Sequence, residues 1–220
     1  WNMTSAKWDE ERAKGQIDGK LDEKYWNIRG RLSPQSEQKL EDINRTRFQV
    51  LVADDALWVG IRCFEEDQSD NALSGEPSPD KESPAILKGN HVEILLETDA
   101  HSHYRIAIDP SGNIFDDDMS EETGNENGVR WDSNAEVAVH RDVDSWSIEA
   151  RIPLVPEAEG AGDPLHHVLF RRSPSELWPW HFNIVRFHTE NGTRKITSFA
   201  PVKEVDIHDR FSFGKLARKR

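Results

Sequence analysis

The densest chemistry lies in residues 91–109, HVEILLETDAHSHYRIAID. Val92, Ile94 and Leu96 alternate with His91, Glu93 and Glu97; Tyr104, Ile106 and Ile108 alternate with Arg105 and Asp109. A period of two predicts two strands, each with one apolar and one charged face. If they pair as a hairpin, opposed residues share a face, which puts Glu93 and Glu97 with Arg105 and Asp109. Such a face can grip hydroxyl groups, since arginine donates and glutamate accepts charge-assisted hydrogen bonds. The plainer alternative is a cross-strand ion pair on a wet surface, worth about 0.2–1 kcal/mol.

Catalysis is not expected from these groups. Glu93 and Asp109 could mimic the carboxylate pair of a glycosidase. However, the chain has no nucleophile elbow, phosphate-binding loop or zinc-hydrolase motif. For a metal, the oxygen-rich candidates are Glu66 and Asp67, Asp109, and the run Asp116-Asp117-Asp118, calcium being the cation that takes about 6–8 oxygens. His101 and His103 supply two imidazoles at i and i+2, half of a transition-metal site. Both lie in the expected hairpin loop, where plain surface is the competing reading.

The elements that must position these groups are short strands. RFQVLVAD and ALWVGIRCFE, within Arg47–Glu65, are apolar runs split by Asp54-Asp55, a hairpin signal. IDGKLDEKYW offers a turn at Asp18-Gly19 and one helical turn through Trp26. Ser74 to Gly89, rich in Pro, Ser and Gly, reads as a long loop. IFDDDM follows the two charged-faced strands, and an acidic, Gly- and Asn-rich loop runs through Gly128. AEVAVHRDVDSWSIEARIPL forms a hairpin turning at Asp142 to Asp144, and a loop from Val155 to Trp178 precedes WHFNIVRFH, KITSFAPV and RFSFGKL. Nine or ten such strands and no repeat predict an all-β, antiparallel β-sandwich. The chain is expected to form one domain over residues 1–220, with 1–16 a polar lead-in.

Composition narrows the partners. A net charge of −13 over 220 residues argues against nucleic acid, whose phosphates would be repelled. The only basic run is the tail Lys215 to Arg220. Cys63 is the single cysteine and sits in an apolar strand, so no internal disulfide forms and a small buried side chain is expected. No apolar run of about 18 residues exists, so no membrane span is predicted. Opening on Trp1 suggests a processed or excised segment. Of the eight tryptophans, Trp26, Trp58 and Trp146 fall in or beside strand motifs and are expected in the core. Trp131 and the pair Trp178 and Trp180 in LWPWHF stand at loop edges; the pair is either an exposed stacking platform or a lid on the sandwich end.

The series IDGKLDEKYW, ALWVGIRCFEED, GNHVEILLETD, YRIAIDPSGNIFD, SWSIEARIPL, WHFNIVR and FGKL resembles, in order and spacing, family 9 carbohydrate-binding modules (CBM9) and their DOMON-like relatives. The likeness runs from about Ile17 to Leu216. It implies an antiparallel sandwich of immunoglobulin-like or jelly-roll-like topology that is non-catalytic and binds an oligo- or polysaccharide. It also implies structural calcium and attachment to a catalytic domain of a secreted or periplasmic bacterial glycoside hydrolase. Glu93 and Arg105 match a glutamate and an arginine that bind sugar in the family. The family's two clamping tryptophans correspond to positions near Leu87 and Ile207, and two further polar positions to Ala107 and Val185. That departure keeps open a docking domain that retained the fold without the clamp. Haem, which some DOMON-like domains hold, is not expected: there are two methionines, Met3 and Met119, and no CxxCH.

Overall fold

The computed structural model describes residues 16–34, 46–53, 56–65, 83–97, 103–119, 129–153, 179–190, 193–201 and 207–216. Thirteen strands lie among them: β1 (Gly30–Arg31), β2 (Ser33–Pro34), β3 (Thr46–Val52), β4 (Ala56–Phe64), β5 (His91–Glu97), β6 (His103–Ile108), β7 (Ile114–Asp118), β8 (Val129–Arg130), β9 (Glu136–Arg141), β10 (Ser145–Pro153), β11 (Trp180–Glu190), β12 (Thr193–Ser198) and β13 (Gly214–Leu216). They form two antiparallel sheets. One has five strands in the order β1-β3-β4-β10-β9; the other has eight, ordered β2-β12-β11-β5-β6-β7-β8, with β13 on β11. No α-helix occurs among the described residues. The Ser74–Gly89 loop contributes a 3-10 helix, Pro84–Lys88, started by Ser83, whose hydroxyl accepts from the Ala85 amide. The helical turn expected in IDGKLDEKYW is a simple reverse turn, with Trp26 N–H donating to the Glu23 carbonyl at 2.9 Å.

The turns explain the registers. Asp109 Oδ1 accepts from the amides of Ser111 and Asn113, and Oδ2 from the Asn113 side chain. Gly112, at φ +81°, takes the left-handed position that a side chain disfavours. This Asx-type turn joins β6 to β7 and sets Arg105 opposite Asp117. The β9–β10 turn forms where the sequence predicted it, with Asp142 N–H donating to the Ser145 carbonyl.

Between the sheets lies one apolar core. Val92, Ile94 and Leu96 of β5, Tyr104, Ile106 and Ile108 of β6, and Trp180, Phe182 and Ile184 of β11 meet Leu57, Val59, Ile61, Cys63, Trp146, Ile148 and Ile152 of the smaller sheet. Trp131 is buried in the same core, tilted against Tyr104. Trp26 and Trp58 pack in a separate cluster, where residues 17–28 cover the outer face of the smaller sheet. That cover needs Gly60: a Cβ there would meet the Trp26 ring at 2.8 Å.

Two buried carboxylates tie the layers down. Glu149 on β10 accepts four donors: the amides of Asp18 and Gly19, the Tyr25 hydroxyl and the Trp26 indole. Burial, followed by the Glu149 charge, pushes the Tyr25 phenol up. Glu65, at the end of β4, accepts from Arg186 of the opposing sheet at 2.6 Å and from the Trp146 indole at 2.9 Å. Arg186 also donates to Thr46 and to the Phe64 carbonyl. Removing one partner of a buried pair leaves a desolvated charge, which typically costs about 3–5 kcal/mol. Glu65→Ala is therefore expected to lower unfolding free energy by roughly that amount in a urea titration, with little change in slope.

Candidate functional site on the outer face of the larger sheet

Strand parity decides what this face displays. With Val92, Ile94 and Leu96 turned into the core, His91, Glu93, Leu95 and Glu97 must point outward. Glu93 pairs in register with Ala107 and with Val185, Leu95 with Arg105 and Asn183, and Glu97 with His103 and His181. Glu93 and Arg105 thus share one face as diagonal neighbours, and Arg105 Nη1 stands 3.9 Å from Glu93 Oε1.

A row of alternating charge crosses the strands. Arg105 grips Asp117 with two parallel bonds, Nε to Oδ1 at 2.9 Å and Nη2 to Oδ2 at 2.5 Å. Its guanidinium lies 5.6 Å from the centre of the Phe115 ring. On the other side, His91 Nε2 meets Glu93 Oε1 at 3.2 Å while His91 Nδ1 meets the Gly89 carbonyl at 2.9 Å. A carbonyl only accepts, so Nδ1 carries a proton, and a further proton must lie between Nε2 and the carboxylate. Burial alone would push the Glu93 carboxyl up; the His91 hydrogen bond, with the charges of His91, Arg105 and His208, outweighs it and holds the group below its usual range. The row therefore runs Asp117, Arg105, Glu93, His91, with carboxylate, guanidinium, carboxylate and imidazole in turn. Burial pushes Asp117 up to about 6 even against its bonds to Arg105.

One atom in this row is unanswered. Glu93 is 2% exposed, and its Oε2 has no hydrogen-bond partner among the described residues. Leaving such an acceptor dry costs about 1–3 kcal/mol, more when charged. A ligand hydroxyl would answer it.

The surroundings are mixed. Leu95, Val185, Phe187 and Phe213 form an apolar cluster on the same face, with Ile196 and Ile207 against it. Ile207, at one of the clamp positions, packs there as an aliphatic. Leu87, at the other, is half-buried in the 3-10 helix, and its carbonyl accepts from Arg194. Arg194 in turn covers the Phe187 ring, which stacks on His91 at 4.5 Å. Residues 207–213 lie over the end of β5 and β6: His208 Nδ1 is 3.2 Å from His103 Nε2, and Arg210 Nη1 is 3.6 Å from Glu97.

Of the LWPWHF pair, Trp180 alone lies among the described residues. Trp180 does not face a ligand; it shares the parity of Phe182 and Ile184 and is buried in the core, opposite Leu216. Trp178 falls outside the described residues. Among the described residues the exposed aromatic is Phe211, 95% accessible, in the short 3-10 helix Arg210–Ser212. A lone phenylalanine between Arg210 and Ser212 carries no periodic signal that a sequence reading can use.

Of the metal candidates, Glu66, Asp67 and His101 lie outside the described residues. Asp109 directs both oxygens into its own turn, and Asp116 Oδ2 accepts from the Ser133 amide. The carboxylates that do approach one another are Asp18, Glu23 and Glu149, with oxygens within 4.8 Å. Glu149 is already served by four protein donors, and Asp18 accepts twice from Lys20. Glu23 Oε2 has no partner among the described residues, but with the other two so occupied the three carboxylates fall short of the about 6–8 oxygens that calcium takes.

His103 carries a testable electrostatic consequence. Burial, then the charges of His208, Arg210 and Arg105, lowers it from 6.5 to about 3. The folded protein thus binds fewer protons at this ring than the unfolded chain, and its contribution to stability, present above pH 6.5, is lost as pH falls from 6.5 towards 3. His103→Gln is expected to flatten the fall in melting temperature over that window. An unchanged slope would show that other groups set it.

Comparisons with known proteins come through shape. No family model and no curated protein matches the sequence. Among solved structures, a CBM9 module from Caldicellulosiruptor kristjanssonii in complex with cellotriose matches at 14% identity and TM-score 0.54, over 93% of this chain and 91% of that one. The same kind of module from that organism with glucose matches at 14% identity and TM-score 0.55, over 93% of both chains. A candidate carbohydrate-binding protein from Bacteroides uniformis matches at 12% identity and TM-score 0.57, over 86% of this chain and 85% of that one. With its two antiparallel sheets and a likeness that spans nearly its whole length, the chain has the CBM9-like β-sandwich fold.

Proposed function

We propose that the protein is a non-catalytic carbohydrate-binding module whose sugar contact is the outer face of the larger sheet. The observation that carries this reading is the unpartnered Glu93 Oε2, buried beside Arg105. A sugar hydroxyl donates to such an oxygen, and a ring or exocyclic oxygen accepts from Arg105 Nη1. Exposed Phe211, on the segment covering this face, offers C–H groups of a sugar ring a flat surface. The neighbours of like fold were solved with cellotriose and glucose, which supports a glucan as the first ligand to try. Service to a secreted or periplasmic bacterial glycan-degrading protein, in the same polypeptide as its catalytic domain, fits this role.

The apolar cluster of Leu95, Val185, Phe187 and Phe213 favours a second reading. A face closed by aliphatics, with Leu87 and Ile207 at the clamp positions, suits a docking domain that keeps the fold without a sugar.

Calorimetric titration with soluble oligosaccharides, followed by a glycan array, separates the two. Under the first reading Glu93→Gln weakens binding by about tenfold or more, the equivalent of one charge-assisted hydrogen bond. Phe211→Ala weakens it by a similar factor without altering the melting temperature. Silence of the wild-type protein across all glycans would reject the sugar reading in favour of docking.

A further inference from the structure

The outer face of the smaller sheet carries an arrangement that the Glu93–Arg105 row does not explain. Arg31 on β1 stands directly across from Arg47 on β3, and Arg47 directly across from Arg62 on β4. In β3 and β4 the flanking Phe48, Ile61 and Cys63 enter the core, so Arg47 and Arg62 must point outward. Three guanidinium groups therefore follow one another across three strands. Like charges placed directly opposite destabilise a sheet. In a chain of net charge −13, acids that could separate them are abundant.

Among the described residues no acid takes that place. Arg105, Arg151, Arg186 and Arg210 each meet a carboxylate. In the row, Arg62 donates instead to the Lys20 carbonyl at 3.0 Å, and the Arg47 guanidinium lies 5.8 Å from the centre of the Phe64 ring. These contacts orient the two half-buried side chains and leave N–H groups to spare, since each guanidinium has five. Arg31, on the edge strand, is exposed.

We propose that this row is a second binding site, for an anionic glycan that lays one acid group on each arginine. Neighbouring strands lie about 4.8 Å apart, so the row repeats at close to the length of one sugar residue in an extended chain. An extended acidic peptide fits less well, because its side chains return to one side only every two residues, about 6.4–6.8 Å. The planar fork of arginine takes a carboxylate or sulfate through two parallel bonds. Half-buried Phe64, beside Arg47, offers a flat apolar surface to the C–H groups between the acids. The acids elsewhere on the chain do not cancel this local field, since exposed charges more than about 8 Å apart are largely screened at physiological ionic strength. The row is on the other sheet from Glu93 and needs nothing from it, so it stands or falls apart from the carbohydrate reading.

The test titrates the intact protein by calorimetry at low salt with tetragalacturonate, a sulfated tetrasaccharide, a neutral tetrasaccharide and tetraglutamate. One site is expected for an acidic oligosaccharide, with affinity falling as salt is raised. The carboxylated and sulfated arms tell which acid the ligand carries. Arg47→Gln, which removes the middle charge, should weaken that binding by about tenfold or more, the equivalent of one charge-assisted contact. Arg31→Gln repeats the test at an exposed position where folding is not at stake. Arg151→Gln, on the same face but paired with Glu136, should bind as the wild type does. A neutral oligosaccharide held through Glu93 should be indifferent to Arg47→Gln, which tells failure of one site from failure of the other. Absence of binding by both acidic oligosaccharides below millimolar concentration, binding left unchanged by Arg47→Gln and Arg31→Gln, or tetraglutamate bound as tightly, overturns the proposal.

Discussion

Everything functional here depends on the two-residue period of the larger sheet. In β5 the even positions Val92, Ile94 and Leu96 enter the core, so His91, Glu93 and Glu97 have nowhere to go but outward. A slip of one residue would bury three ionisable groups between the sheets and expose three aliphatics, a cost far beyond the net stability of a domain. The same parity sends Trp180 inward and His181 outward on β11. It also brings Asp117 under the Arg105 fork on β7. Register, held by the Asp109 turn at one hairpin, is thus what converts a charged pattern into a site.

Buried carboxylates in this sandwich meet three different fates. Glu149 is surrounded by neutral donors and holds residues 18–26 against the smaller sheet. Glu65 bridges the two layers through Arg186 and Trp146. In both, the desolvation of the charge is offset by hydrogen bonds and the result is structural. Glu93 differs because His91 and Arg105 both approach Oε1 and leave Oε2 without a protein donor. That open acceptor is why Glu93, and not Glu65 or Glu149, is the group proposed for recognition.

The segment 207–213 gives the outer face its character. Phe213 and Ile207 join the apolar cluster over β5 and β11, His208 reaches His103, and Phe211 remains in solvent. A single short stretch therefore supplies covering, a histidine contact to β6 and an exposed ring. These roles are coupled, since whatever fixes His208 also fixes where Phe211 stands. No helix among the described residues is long and apolar enough to cross a membrane.

Local pattern alone determined the two-faced strands β5 and β6, the pairing of β3 with β4 on either side of Asp54-Asp55 (themselves outside the described residues), the hairpin at Asp142–Asp144, the core places of Trp26, Trp58 and Trp146, and the shared face of Glu93 and Arg105. These follow from alternation and turn chemistry, which act over a few residues and are written directly in the order of side chains. Tertiary structure decided the rest. That Arg105 would bind Asp117 more tightly than Glu93, that Glu149 would gather four donors, and that His103 would meet His208 required chain segments up to 131 residues apart to come together. Trp180 shows the limit in one residue: a loop-edge tryptophan reads as a platform or a lid with equal ease, and only the register of β11 against β5 and β13 settles which way its ring must point.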